Sequence, residues 1–80
     1  MADKQLILYG RDECHLCHDM MDQLRSIQDE YGFRLEIIDI EKHADLLGKY
    51  GELVPVLVYD TQEICHYFLD LERLRAVLNS

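Results

Sequence analysis

The sequence predicts an α/β domain whose elements run strand, helix, strand, short helix, strand, strand, helix. Three observations carry that prediction. A short apolar block, Leu6-Ile7-Leu8-Tyr9, is followed by a long helical pattern and then by an alternating stretch from Phe33, the layout of a βαβ unit. Val54-Pro55-Val56-Leu57-Val58-Tyr59 is the most strand-like run in the chain, and a polar turn with a shorter return arm comes after it. Asp70 then stands where a helix N-cap is wanted, ahead of Leu71, Leu74, Val77 and Leu78, which fit one helical face.

The first strand, residues 5–9, has β-branched and aromatic content in a compact apolar block, and Gly10 ends it. From there the apolar residues Leu16, Cys17, Met20, Met21, Leu24, Ile27 and Tyr31 recur at the spacing of one helical face. Met20 and Met21 read as adaptable core filler. Gly32 follows where a left-handed residue closes a helix. Residues 33–40 alternate at Phe33, Leu35 and Ile37 and form the second strand. Strand, helix and strand within ~40 residues make these two strands parallel. A weaker helical pattern over residues 41–50 carries Ala44, Leu46, Leu47 and Tyr50, and Gly48 and Gly51 limit it. The third strand covers 54–59, Asp60-Thr61-Gln62 turns the chain, and 63–67 returns as the fourth strand. Repeats, low-complexity tracts and linkers are missing, so one domain over residues 1–80 is expected.

Charge narrows the function. Sixteen acidic residues against eight basic ones give a net charge of −8. That excludes the usual route to nucleic acid, in which Lys and Arg neutralise phosphates, and it disfavours anionic membranes. An acidic surface serves solubility. Apolar runs such as Leu6 to Tyr9 are far short of the ~18 residues of a membrane helix. Met1-Ala2-Asp3-Lys4 has no basic segment followed by an apolar one, so no secretory signal is read and a cytoplasmic location is expected. Three cysteines do not make a framework of paired disulfides. In a reducing compartment a close pair is catalytic or metal-binding.

That pair sits in Arg11-Asp12-Glu13-Cys14-His15-Leu16-Cys17-His18, at the junction of the first strand and first helix. Three chemistries fit two cysteines separated by two residues and followed by histidine: disulfide exchange, metal binding and covalent haem attachment. Exchange depends on the helix start. A Cys there meets unpaired N–H groups and the positive end of the helix dipole, which can lower its pKa from about 8.5 to between roughly 3.5 and 7.5. Cys14 holds that position and is the nucleophile. Cys17, one turn in on the buried side, is the resolving thiol. A protonated His15 would add positive charge, while Asp12 and Glu13 oppose a second anion, so a moderate lowering is expected.

Haem would make His18 an axial ligand and needs a distal one. Met1, Met20 and Met21 all lie early, leaving His43 or His66, and the strand-like run from Val54 contradicts a helical haem fold. A zinc site, or an iron–sulfur cluster shared between subunits, would draw on Cys14, Cys17, Cys65 and His66 or His18. Cys65 and His66 are neighbours in a strand and point to opposite faces, so both cannot easily reach one ion. Cys65 reads as a small buried hydrophobe.

Cys14-His15-Leu16-Cys17 after a first strand, with Val54-Pro55 opening the third, resembles the small glutaredoxin-like proteins of the thioredoxin fold. The likeness covers nearly the whole chain. It implies a four-stranded mixed sheet with helices on both faces, a cis proline at Pro55 facing the cysteines, and dithiol–disulfide exchange without a cofactor. Cys14 is then the attacking cysteine and Cys17 the resolving one. The Val54 backbone would pair with a bound peptide or glutathione, and Arg11 would meet a glutathione carboxylate or stand as a solvated charge. Two departures stand out. His15-Leu16 occupies the place of Pro-Tyr or a similar pair, and His66-Tyr67-Phe68-Leu69-Asp70 has no glycine pair before its acidic residue. The substrate, a disulfide-containing protein or a small-molecule thiol such as glutathione, therefore stays open. So does the electron donor, glutathione or a cellular reductase.

Overall fold

The computed structural model describes residues 4–79. Strands β1 (Lys4–Gly10), β2 (Phe33–Asp39), β3 (Val56–Tyr59) and β4 (Gln62–His66) form one mixed sheet in the order β2-β1-β3-β4. Helices α1 (His15–Tyr31), α2 (Ala44–Tyr50) and α3 (Leu71–Leu78) connect or follow them. β1 and β2 are parallel, in register from Lys4 opposite Phe33 to Gly10 opposite Asp39. β3 runs antiparallel to β1, and β4 to β3.

Alternation along β1 sorts the two faces of the sheet. Leu6 and Leu8 are buried in the main core with Met20 and Leu24 of α1, Leu74 of α3, and Phe33, Leu57 and Ile64 of the other strands. Each such side chain contributes roughly 1.5–3 kcal/mol by leaving water. Tyr9 turns the other way and stacks on Tyr50 of α2, with ring centroids 4.6 Å apart. So α1 and α3 cover one face and α2 the other. The phenol of Tyr9 titrates above its ordinary range because burial, and then Tyr50 beside it, disfavour the phenolate. α1 stops where Gly32 adopts φ 70° and donates its N–H to the Gln28 carbonyl.

Several boundaries differ from those expected, each for a local reason. β3 begins at Val56 and not at Val54, because Pro55 brings no N–H to a ladder. The Val54–Pro55 peptide bond is cis. The helix expected over 41–50 is in two pieces: a 3-10 turn, Ile40–Lys42, and α2. His43, at φ −137°, separates them, and the Asp39 carboxylate caps the first piece by accepting the Glu41 N–H at 2.9 Å. In β4 the register slips between Leu57 and Val58, which face Cys65 and Glu63. Ile64 is the extra residue of that bulge, so two consecutive residues, Ile64 and Cys65, both enter the main core.

The β3–β4 turn has two residues, not three. Asp60 and Thr61 both have positive φ, 58° and 101°, the backbone of a type I′ hairpin. A β-branched residue is costly there, by about 1–2 kcal/mol. Glycine removes that cost but adds about 0.5–1 kcal/mol of unfolded-chain entropy. Thr61→Gly is thus expected to stabilise the domain by a net ~0.5–1 kcal/mol, seen as a raised urea midpoint at constant slope; a lowered midpoint would refute the strain at Thr61.

Candidate functional site

α1 starts at the cysteine pair. Cys14 is its N-cap, with extended backbone at φ −110° and ψ 109°. In place of the usual Ser or Asp oxygen, the Cys14 sulfur accepts the Cys17 N–H at 3.1 Å. It therefore lies at the positive end of the helix, where negative charge is favoured. The two cysteines form a disulfide, with Cα atoms 5.2 Å apart. Cys14 is half-buried, whereas Cys17 is 6% exposed. Of the two, Cys14 is the residue more open to solvent.

Gly10 gives Cys17 its room. A Cβ at position 10 would lie 3.3 Å from both Cβ and Sγ of Cys17, tighter than ordinary contact. On another side, Cys17, Ile40 and Val54 form a small buried cluster, against which Cys14, Tyr9, Leu46 and Tyr50 pack. Val54 thus lies at the cysteine pair, and Pro55 beside it is fully buried. A cavity of about 90 Å³ adjoins Cys17 between α1 and the end of β2, lined by Leu8, Met21, Ile37 and Ile38 among others. It is well below the roughly 300–1,000 Å³ of a ligand pocket.

The charged residues singled out in the sequence lie at the rim. The Arg11 guanidinium is 3.7 Å from the Glu41 carboxylate, both partly exposed, a pair worth at most about 1 kcal/mol. His15 is 90% exposed and lies 3.6 Å from Asp19 one turn on, so any charge it carries is shared with a carboxylate. The built-in histidine is His18. Its Nε2 is 2.7 Å from the Asp12 carbonyl, which can only accept, so Nε2 carries the proton and ties the first helical turn to the preceding loop.

Cys65 is not part of this site. It is free, 7% exposed and in the main core, and burial pushes its thiol up. His66, next to it, faces out and bonds Glu63 at 2.8 Å. Among the described residues no group of three or more His, Cys, Asp or Glu is arranged to hold a metal ion. A thiol reagent added to the oxidised protein should find no reactive thiol in buffer and a single one, Cys65, in denaturant. Fast labelling of Cys65 in the folded state would contradict its burial.

Tyr67 was missed as a site residue and expected as a strand residue. It adopts φ 65°, which ends β4 at His66. Its N–H donates to the Pro55 carbonyl at 2.9 Å and its hydroxyl to the Glu52 carbonyl at 2.9 Å. The end of β4 is thereby tied to the loop that carries Val54. Tyrosine is not a turn former, so nothing in the sequence announced this conformation.

The sequence profile of the glutaredoxin-like domain family (DUF836) matches residues 5–79. The chain belongs to that family. Its cysteine pair, joined at the head of the first helix, is what the glutaredoxin-like fold carries here. The chain is similar to a Nitrosomonas europaea protein solved in solution, with TM-score 0.86 at 39% identity over 96% of this chain and 93% of that one. A crystal structure from X. campestris gives TM-score 0.73 at 35% identity, covering 92% and 95%. Reduced glutaredoxin of Escherichia coli is more distant, with TM-score 0.61 at 26% identity over 94% and 93%. A curated relative, an uncharacterized protein of Mycobacterium tuberculosis, is 31% identical over 81 residues, 95% of this chain and 84% of its own length. Within this glutaredoxin-like frame Asp70 caps α3, its carboxylate accepting the Arg73 N–H at 3.1 Å. Among the described residues no helix is long and apolar enough to cross a membrane.

Proposed function

We propose that this glutaredoxin-like protein is a thiol–disulfide oxidoreductase in which Cys14 attacks and Cys17 resolves. The observation that carries the reading is the asymmetry of the pair: a half-buried sulfur capping α1, and a buried one a turn behind it. In the reduced protein the Cys14 thiolate attacks one sulfur of a substrate R–S–S–R′, forming Cys14–S–S–R and expelling R′–S⁻. The Cys17 thiolate then attacks the Cys14 sulfur, closing the intramolecular disulfide and expelling R–S⁻. The substrate disulfide gains two electrons and the dithiol loses them. The Cys17 N–H, held on the Cys14 sulfur, favours the thiolate that begins the cycle.

The packing of Val54 against the pair, with buried Pro55 next to it, supports a role for the Val54 backbone in pairing with an extended substrate. Arg11 sits on the rim, where it is held by Glu41. Such exchange suits the reducing cytoplasm. The cycle is completed when a cellular reductase or glutathione reduces the Cys14–Cys17 bond.

The test is direct. Reduced protein is mixed with a small neutral disulfide, and thiol release is followed against loss of protein thiols. Release matched by closure of the Cys14–Cys17 bond is expected. Release no faster than with an equal concentration of free cysteine would remove the reading. Supplying oxidised protein with either glutathione or a thioredoxin-reductase system then identifies the electron donor.

A further inference from the structure

Beyond Val54 the surface changes character. Tyr67, anchored to Pro55 and Glu52, is 39% exposed, and Phe68 beside it is 70% exposed, the most exposed large hydrophobic side chain of the described residues. The Phe68 N–H turns back onto the His66 carbonyl at 2.7 Å, and Leu69 returns to the core, so the turn leaves Phe68 far more exposed than its neighbour Tyr67. A left-handed backbone at Tyr67 costs about 1–2 kcal/mol, and such strain collects where a side chain must be presented. An aromatic ledge therefore flanks the loop whose buried Val54 and Pro55 pack beside the cysteine pair, and with the half-buried Cys14 it bounds one strip of surface. Asp12 and Glu13, both exposed, directly precede Cys14 at one end of that strip, and at the other the exposed Glu52 accepts the Tyr67 hydroxyl on its backbone carbonyl. The nearby cations are engaged: Arg11 with Glu41, and Lys49 over the Tyr50 ring at 5.1 Å.

We propose that this strip takes an extended peptide segment of a protein disulfide, with an apolar side chain near its cysteine to lie on Phe68 and Tyr67, and basic residues to meet the carboxylates. The inference deepens the exchange reading and rests on it. Glutathione disulfide suits the surface poorly. It is small and polar, has nothing to bury on an aromatic ledge, and carries net negative charge on each half towards a protein of net charge −8. A basic peptide is attracted by the same field, and an apolar side chain gains by covering Phe68.

Four short cysteine peptides, each joined by a disulfide to a chromogenic thiol, test this. They carry Phe or Ser near the cysteine and Lys or Glu beside it, and each rate is divided by that with dithiothreitol to remove intrinsic reactivity. The Phe peptides should be reduced roughly tenfold faster than the Ser peptides, the gain from partly burying one aromatic side chain. Phe68→Ser, at an exposed position, should bring that ratio close to one. Lys peptides should outrun Glu peptides several-fold at low salt, and the gap should close at high salt. Equal rates for all four peptides, a Phe-to-Ser ratio untouched by Phe68→Ser, or faster reduction of glutathione disulfide than of the peptides would overturn the proposal while leaving exchange intact. Failure to reduce any disulfide, the small neutral one included, would instead remove the exchange reading and this proposal with it.

Discussion

Replacing Cys14 by serine should abolish disulfide exchange, lowering the rate by several orders of magnitude to the uncatalysed level. The reason is chemical and positional. A hydroxyl is not ionised near neutral pH, and neither remaining sulfur can take over: Cys17 is 6% exposed and Cys65 7% exposed, in separate parts of the core. Serine is also a good N-cap, so its oxygen can accept the Cys17 N–H that the sulfur accepts now and α1 keeps its start. Loss of activity with thermal stability equal to that of the reduced wild-type protein is therefore the expected pattern, read from thiol release and a melting curve in parallel. Substantial exchange by Cys14→Ser would mean that Cys17 or Cys65 is the attacking group.

The largest effect on stability is expected at Leu57. It is fully buried in β3, an inner strand of the sheet, opposite Leu8 on one side and Cys65 on the other. Truncating such a leucine to alanine removes its transfer energy and leaves a cavity, about 2–5 kcal/mol together. A domain of this size has roughly 4–12 kcal/mol to lose at 0.05–0.15 kcal/mol per residue. Leu57→Ala should thus remove about 40% of the stability at the middle of both ranges, moving the urea midpoint sharply down. At the exposed Leu47, the same substitution should cost well under 1 kcal/mol. Similar losses at both positions would contradict the division into core and surface.

These predictions show where sequence and structure meet. β1, α1 and β2 were legible because periodicity, Gly32 and a parallel crossover are local and mutually consistent. So was the cysteine pair, since a helix that starts at Cys14 must place Cys17 one turn in. Features that depend on long-range contacts were not legible. The bulge at Ile64 arises from pairing with β3, and no residue type marks it. His43 interrupts a helical pattern because the Asp39 carboxylate holds Glu41 in a tighter turn. His15 drew notice as the residue inside the pair, yet the bond that matters locally is made by His18. Tyr67 lacked every turn signal, and its left-handed backbone is fixed only by Pro55 and Glu52, more than ten residues away. The sequence has no glycine pair here, yet the positive φ that glycine favours is present, carried by Tyr67 at a cost.

The most direct test of the central claim is to find which sulfur holds the substrate. Cys17→Ser, reduced and mixed with an excess of a peptide disulfide, is quenched in acid, digested and mapped by mass spectrometry. Without the buried thiol there is nothing to expel the bound half, so a stable mixed disulfide on Cys14 is predicted, with Cys65 still a free thiol. A mixed disulfide on Cys65, or none on Cys14, would contradict Cys14 as the attacking sulfur.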